Sequence, residues 1–143
     1  MTHSSRTAFD LQKCRPRHSP ADILRRAWRE GHEIALDQFV ENLNNLSPGD
    51  IAELIRIDLN ARWNRSDRER PERYLGCFSA VAADAELAVD VIYAEYLARE
   101  QSGEQPEIAE YQTRFPMFAQ ALAEQIRLHL AIDTLDDEDA NPG

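Results

Sequence analysis

A chain of 143 residues with 43% hydrophobic and 29% charged side chains and only five glycines has the apolar content of one domain, which at this size buries roughly two-thirds of the surface its unfolded form exposes. Its net charge of −10 is uneven: residues 1–31 hold seven Lys/Arg against three Asp/Glu, and residues 32–143 hold nine against 23. An acidic body repels phosphate backbones and anionic lipid, which argues against nucleic acid and membrane as partners, and no apolar run approaches the ~20 residues of a membrane span.

Residues 1–18 mix Ser, Thr, Arg, His and Pro without apolar period and read as a disordered basic tail that lacks a secretory h-region. Cys14 and Cys77 form neither a CxxC nor a metal-ligand spacing and read as two reduced thiols of a cytoplasmic protein. The helical domain spans 19–132. Ser19-Pro20-Ala21-Asp22 and Ser47-Pro48-Gly49-Asp50 each place Ser at an N-cap, Pro at the first helical position and an acid at the third. Asp84 caps another long helix, while Pro71, Pro106 and Pro116 mark further starts. Helices are therefore expected near 20–30, 36–45, 48–64, 71–79, 85–101, 106–114 and 116–132. Residues 133–143, DTLDDEDANPG, read as an acidic linker or tail.

An internal repeat organises these elements. A shift of 35 residues superposes Leu24 on Leu59, Trp28 on Trp63, Phe39 on Tyr74, Leu43 on Phe78 and Leu54 on Val89. A further shift of 37 carries Leu59 to Tyr96, Tyr74 to Tyr111, Phe78 to Phe115 and Val89 to Ile126. The expected fold is thus an all-α, multi-helix bundle of about three long-helix/short-helix repeats. Phe39, Tyr74 and Tyr111, each four residues before a second aromatic or leucine, anchor the short helices. Helix 85–101 carries Leu87, Val91, Ala94 and Ala98, widened by Ile92 and Tyr96, and should be the central one. Phe118, Leu122, Ile126 and Leu130 should form the buried face of the closing helix.

Motifs that carry chemistry are not found. His3, His18, His32 and His129 fit no HExxH or zinc-finger spacing, and the scattered glycines build no phosphate-cradling loop. His129 reads as a structural histidine, and Trp28 and Trp63, sharing one place in two repeats, read as core. The acidic run 136–139 lacks the alternating ligands and Gly of a calcium loop. Stretch 62–73, RWNRSDRERPER, reads as a solvated turn. The expectation is no catalytic residue, no cofactor-binding residue, no metal ligand and no small-molecule substrate.

Residues 89–116, VDVIYAEYLAREQSGEQPEIAEYQTRFP, resemble a segment found ahead of the catalytic domain in many serine/threonine protein kinases of planctomycete-type bacteria. Asp90, Ile92, Tyr93, Glu95, Arg99, Glu100, Gly103, Glu104, Pro106, Glu110, Tyr111, Arg114, Phe115 and Pro116 match that pattern, and Leu122, Gln125 and His129 continue it. Trp63, Pro71, Tyr74 and Leu75 resemble its upstream half, so that about 48–130 is covered. Cys77-Phe78-Ser79 stands where Arg-Phe-Pro is usual, which leaves the helix start there open. The resemblance implies a regulatory or protein-interaction domain of a bacterial kinase. Its partner would be another protein or the cognate kinase domain. The kinase domain itself is absent from this chain: Lys13, the one lysine, lies in the Pro-flanked tail, and no HRD loop or metal-holding Asn and Asp pattern exists. By itself the chain is then not an enzyme. The alternative is a stand-alone tetratricopeptide-like peptide-binding adaptor, and a DNA-binding helix-turn-helix protein is disfavoured by the body charge.

Overall fold

The computed structural model describes residues 19–140, and side chains up to residue 135; the N-terminal tail expected over 1–18, with Lys13 and Cys14, lies outside them. Among the described residues there are eight α-helices, one 3-10 turn and no strand. They are α1 (Pro20–Arg29), α2 (Leu36–Glu41), α3 (Pro48–Asn64), α4 (Pro71–Cys77), α5 (Ser79–Ala82), α6 (Ala85–Gln101), α7 (Ile108–Arg114), the 3-10 turn Pro116–Phe118 and α8 (Ala119–Ala140). No helix among them is long and apolar enough to cross a membrane.

The start signals act as their chemistry requires. Ser47 Oγ accepts from Asp50 N at 3.1 Å while Asp50 Oδ2 accepts from Ser47 N at 3.0 Å, closing a capping box. Ser19 accepts from Asp22 N at 3.2 Å, but the Asp22 carboxylate turns to Arg25 instead of reciprocating. Asp84 Oδ1 accepts from the backbone of Glu86 and Leu87 and starts α6.

The stop signals repeat more regularly than the starts. At the end of α1, His32 N donates to Ala27 O and Gly31 N to Trp28 O. After α3, Asp67 N donates to Arg62 O and Ser66 N to Trp63 O; after α6, Glu104 N donates to Arg99 O and Gly103 N to Glu100 O. These are three copies of one Schellman turn, each with a left-handed residue: Gly31 at φ 89°, Ser66 at 66° and Gly103 at 93°. Three identical reversals aim each short helix back across its long helix.

Two cores result, separated by α6. The first gathers Leu24, Trp28, Leu59, Trp63, Val81 and Val91; the second gathers Ile92, Tyr96, Tyr111, Phe115, Leu122 and Ile126. The centrality expected of 85–101 holds, because Val91 and Ala98 face one core while Ile92 and Tyr96 face the other. Each fully buried Leu or Ile in them contributes about 1.5–3 kcal/mol.

Several boundaries differ from expectation. The helix expected over 36–45 stops at Glu41, ahead of an asparagine-rich turn in which Asn45 is left-handed at φ 63°. The helix expected over 71–79 breaks at Phe78, whose φ of −118° and ψ of 82° match the −128° and 67° of Phe115. Pro116 enforces the second break; the first occurs at the same repeat position although Ser79 replaces proline. α8 runs to Ala140, so residues 133–140, expected as a tail, continue the helix. Leu130 is exposed rather than buried. A strict fourfold spacing drifts by about 40° per step on a 3.6-residue helix, and the face that meets α6 passes from Ile126 to His129 instead.

Candidate functional site

Two clusters of polar side chains stand at the joints between units. In the first, Asp58 of α3 is fully buried and accepts from three sides: Trp28 Nε1 at 3.2 Å, Arg62 Nε at 2.9 Å and the Tyr74 hydroxyl at 2.7 Å. Arg62 also donates to Asp67 at 3.0 Å and to the Ile34 carbonyl at 2.7 Å, and its guanidinium lies 5.0 Å from the Trp28 ring centre. One turn of helix separates Asp58 from Arg62, which places both on the face that receives α1 and α4.

In the second, Glu95 of α6 accepts from the Tyr111 hydroxyl at 2.7 Å and from Arg114 at 2.8 Å. Arg99 reaches Glu104 at 3.0 Å, Glu110 at 2.6 Å and the Tyr111 oxygen at 3.2 Å. Arg114 continues to Glu72 at 2.9 Å, tying α7 to α4. A shallow cavity of about 230 Å³, lined by Trp63, Arg68, Arg70 and this network, opens beside it. Glu104 Oε2, buried there without an aligned hydrogen bond, faces Arg68 Nη1 at 3.1 Å.

The clusters are one design used twice. A shift of 37 carries Asp58 to Glu95, Arg62 to Arg99, Asp67 to Glu104, Tyr74 to Tyr111 and Phe78 to Phe115. The apolar repeat shows only the aromatic part of this. The rest is present in the sequence as acid-x3-Arg-x4-acid-x6-Tyr, a polar pattern that a comparison of large apolar residues passes over. The first unit has no such acid or arginine, and its corresponding aromatic is Phe39, which has no hydroxyl to satisfy.

The electrostatics follow from mutual neutralisation. Burial, then the Asp58 charge and hydrogen bond, push the Tyr74 phenol well above its ordinary range. Burial and the bond to Glu95 do the same to Tyr111, with Arg99 pulling back. Burial opposes the charge of Arg62, but the bond and charge of Asp58 outweigh it and the guanidinium is held protonated. Hydrogen bonding from Arg99, joined by the Arg114 charge, lowers Glu110. Each buried carboxylate is already met by a guanidinium and a phenol, and neither group gives up a proton near neutral pH.

The residues singled out in the sequence are placed as follows. Trp28 and Trp63 are both buried core residues under an arginine, but their indoles part company: Trp63 donates to the Glu69 carbonyl at 2.9 Å, whereas Trp28 donates to Asp58. Ile34 corresponds to Glu69 in the repeat, and its carbonyl is taken by Arg62. Within stretch 62–73, read as a solvated turn, Arg62 and Trp63 are buried and Arg65 to Arg68 are exposed. Cys77 is an exposed free thiol. His32 is exposed, and His129 lies 2.7 Å from Glu100 between two tyrosines. No protein-family model, curated protein or solved structure matches this chain.

Proposed function

We propose that this chain is a non-catalytic protein-interaction module of the regulatory kind that its sequence resembles, the region ahead of the kinase domain in planctomycete-type bacterial serine/threonine kinases. One observation carries this reading: α8 exposes Leu128, Ile132 and Leu135 at 58%, 48% and 58% on one stripe. Apolar side chains at i, i+4 and i+7 on a solvent face are the pattern by which a helix meets another protein. Beside it a groove of about 500 Å³ between α6 and α8 is lined by Val89, Ala121 and Leu128. The acids of the interior support a structural rather than chemical role, since each is bound by arginine and tyrosine. The cytoplasmic location implied by two reduced cysteines belongs to the same reading.

The partner is a folded protein surface, with the cognate kinase domain as first candidate. A pull-down of the kinase domain with the full chain tests it. Retention by the parent and loss in the L128E/I132E double variant, with unchanged helical circular dichroism, is the expected outcome; equal retention by both, or none by the parent, contradicts it. The tetratricopeptide-like adaptor is less well supported, because such repeats pair helices of comparable length, whereas α3 and α6 have 17 residues each and α4 and α7 have seven.

A further inference from the structure

His129 and Asp133 sit one turn apart on α8, and Glu100 meets them from α6. His129 Nε2 lies 2.7 Å from Glu100 Oε1 and 3.4 Å from Asp133 Oδ2, and one ligand atom from each residue falls within 4.8 Å of the others. The imidazole plane stands at 78° to the Tyr93 ring and 87° to the Tyr96 ring, each with its centre 5.8 Å away.

This trio is built differently from the other paired acids. Asp58, Asp67, Glu95, Glu104 and Glu110 each face an arginine. Glu100 and Asp133 form no ion pair with an arginine among the described residues; both converge on the same imidazole nitrogen. A single Nε2 carries at most one hydrogen, so a neutral imidazole serves one carboxylate and leaves the other facing a nitrogen already committed. Two carboxylates and one neutral imidazole nitrogen instead supply three donors to one divalent ion.

We infer that Glu100, His129 and Asp133 bind one divalent transition-metal ion of the zinc class, with water completing its shell. Zinc takes imidazole nitrogen and carboxylate oxygen at about 2.0–2.2 Å, which sets ligands roughly 3.4 Å apart in a tetrahedron; the 3.4 Å from Nε2 to Asp133 has that span, and the 2.7 Å hydrogen bond to Glu100 must open by a side-chain rotation to admit the ion. Calcium requires six to eight oxygens and magnesium an octahedral oxygen shell, which one nitrogen and two carboxylates do not supply. The ion would pin α8 to α6, one turn from the exposed Ile132, and the inference does not depend on what that stripe binds. The site escapes spacing motifs because Glu100 is 29 residues from His129 and comes from another helix.

Calorimetric titration of the full chain carrying C14S and C77S, so that thiols do not compete, with zinc chloride and separately with calcium chloride, tests the site. One zinc ion per chain, a melting temperature that rises with zinc, and affinity weakened at least about tenfold in both H129A and E100Q are expected. E124Q, on the same helix outside the trio, should bind like the parent. No saturable zinc binding by the parent, unchanged affinity in H129A or E100Q, or calcium bound as tightly as zinc overturns the inference. Should H129A lose its helical circular dichroism, E100Q decides alone.

Discussion

The joint around Asp58 and the joint around Glu95 share an acid, an arginine one turn later, a second acid in the loop and a tyrosine on the returning helix, yet one is covered by an indole and the other continues into a wider ion network. Asp58 is sealed because its third donor is the indole of Trp28, a group that brings a large apolar body with it. Glu95 receives Arg114 instead, and that guanidinium also needs Glu72 and Glu110, so the network runs to the surface and borders a cavity. The residue corresponding to Arg114 in the first joint is Cys77, which donates nothing to the cluster. One donor therefore decides whether the same clamp closes as core or stays open as an ion network.

The acids separate the two joints most sharply. Asp58→Ala leaves Arg62, Trp28 and Tyr74 buried without their acceptor and should cost about 3–5 kcal/mol in urea denaturation. Glu95→Ala should cost less, about 1–3 kcal/mol, because Arg114 keeps Glu72 and Glu110 and only the Tyr111 hydroxyl is left without an acceptor. Equal losses would mean that the indole seal adds nothing.

The phenols give the next contrast. Tyr74→Phe and Tyr111→Phe should each cost about 0.5–1.5 kcal/mol at neutral pH. Both folded phenols hold their protons above the pH at which unfolded ones release them. Their contribution is therefore complete below about pH 10 and lost as pH rises beyond it. The parent should lose stability through that alkaline range, more steeply than Tyr74→Phe; parallel pH profiles would contradict the burial of the first joint.

The smallest effect has the opposite sign. Ser66 alone among the three Schellman turns asks a β-carbon to sit at positive φ, so Ser66→Gly should stabilise by about 1 kcal/mol, while Gly31→Ala and Gly103→Ala destabilise by a similar amount. A Ser66→Gly variant no more stable than the parent would show that the three turns are not equivalent.

Much of this architecture was legible in the residues. Ser47-Pro48-Gly49-Asp50 and Asp84 marked the starts of α3 and α6, because capping chemistry is local and needs no tertiary partner. Leu24/Leu59 and Tyr74/Tyr111 revealed the repeat because burial selects for size. What escaped was whatever depends on direction. Leu130 looked buried until helical drift was counted, and the continuation of α8 past residue 132 is hidden by acids that a surface helix tolerates as well as a tail does. Asp58 and Arg62 resemble any solvent-facing i, i+4 pair until α1 and α4 close over them. The trio Glu100, His129 and Asp133 depends on the same closure, with α6 and α8 meeting.

As structural clamps, the two acid–tyrosine contacts must each add stability. Double-mutant cycles on Asp58→Asn/Tyr74→Phe and Glu95→Gln/Tyr111→Phe, read by denaturation, measure this directly. The account predicts that all four single variants are destabilised and that each pair couples by roughly 0.5–3 kcal/mol. Stability unchanged or raised on removing either acid, the behaviour of residues kept for function at a cost in stability, would contradict it.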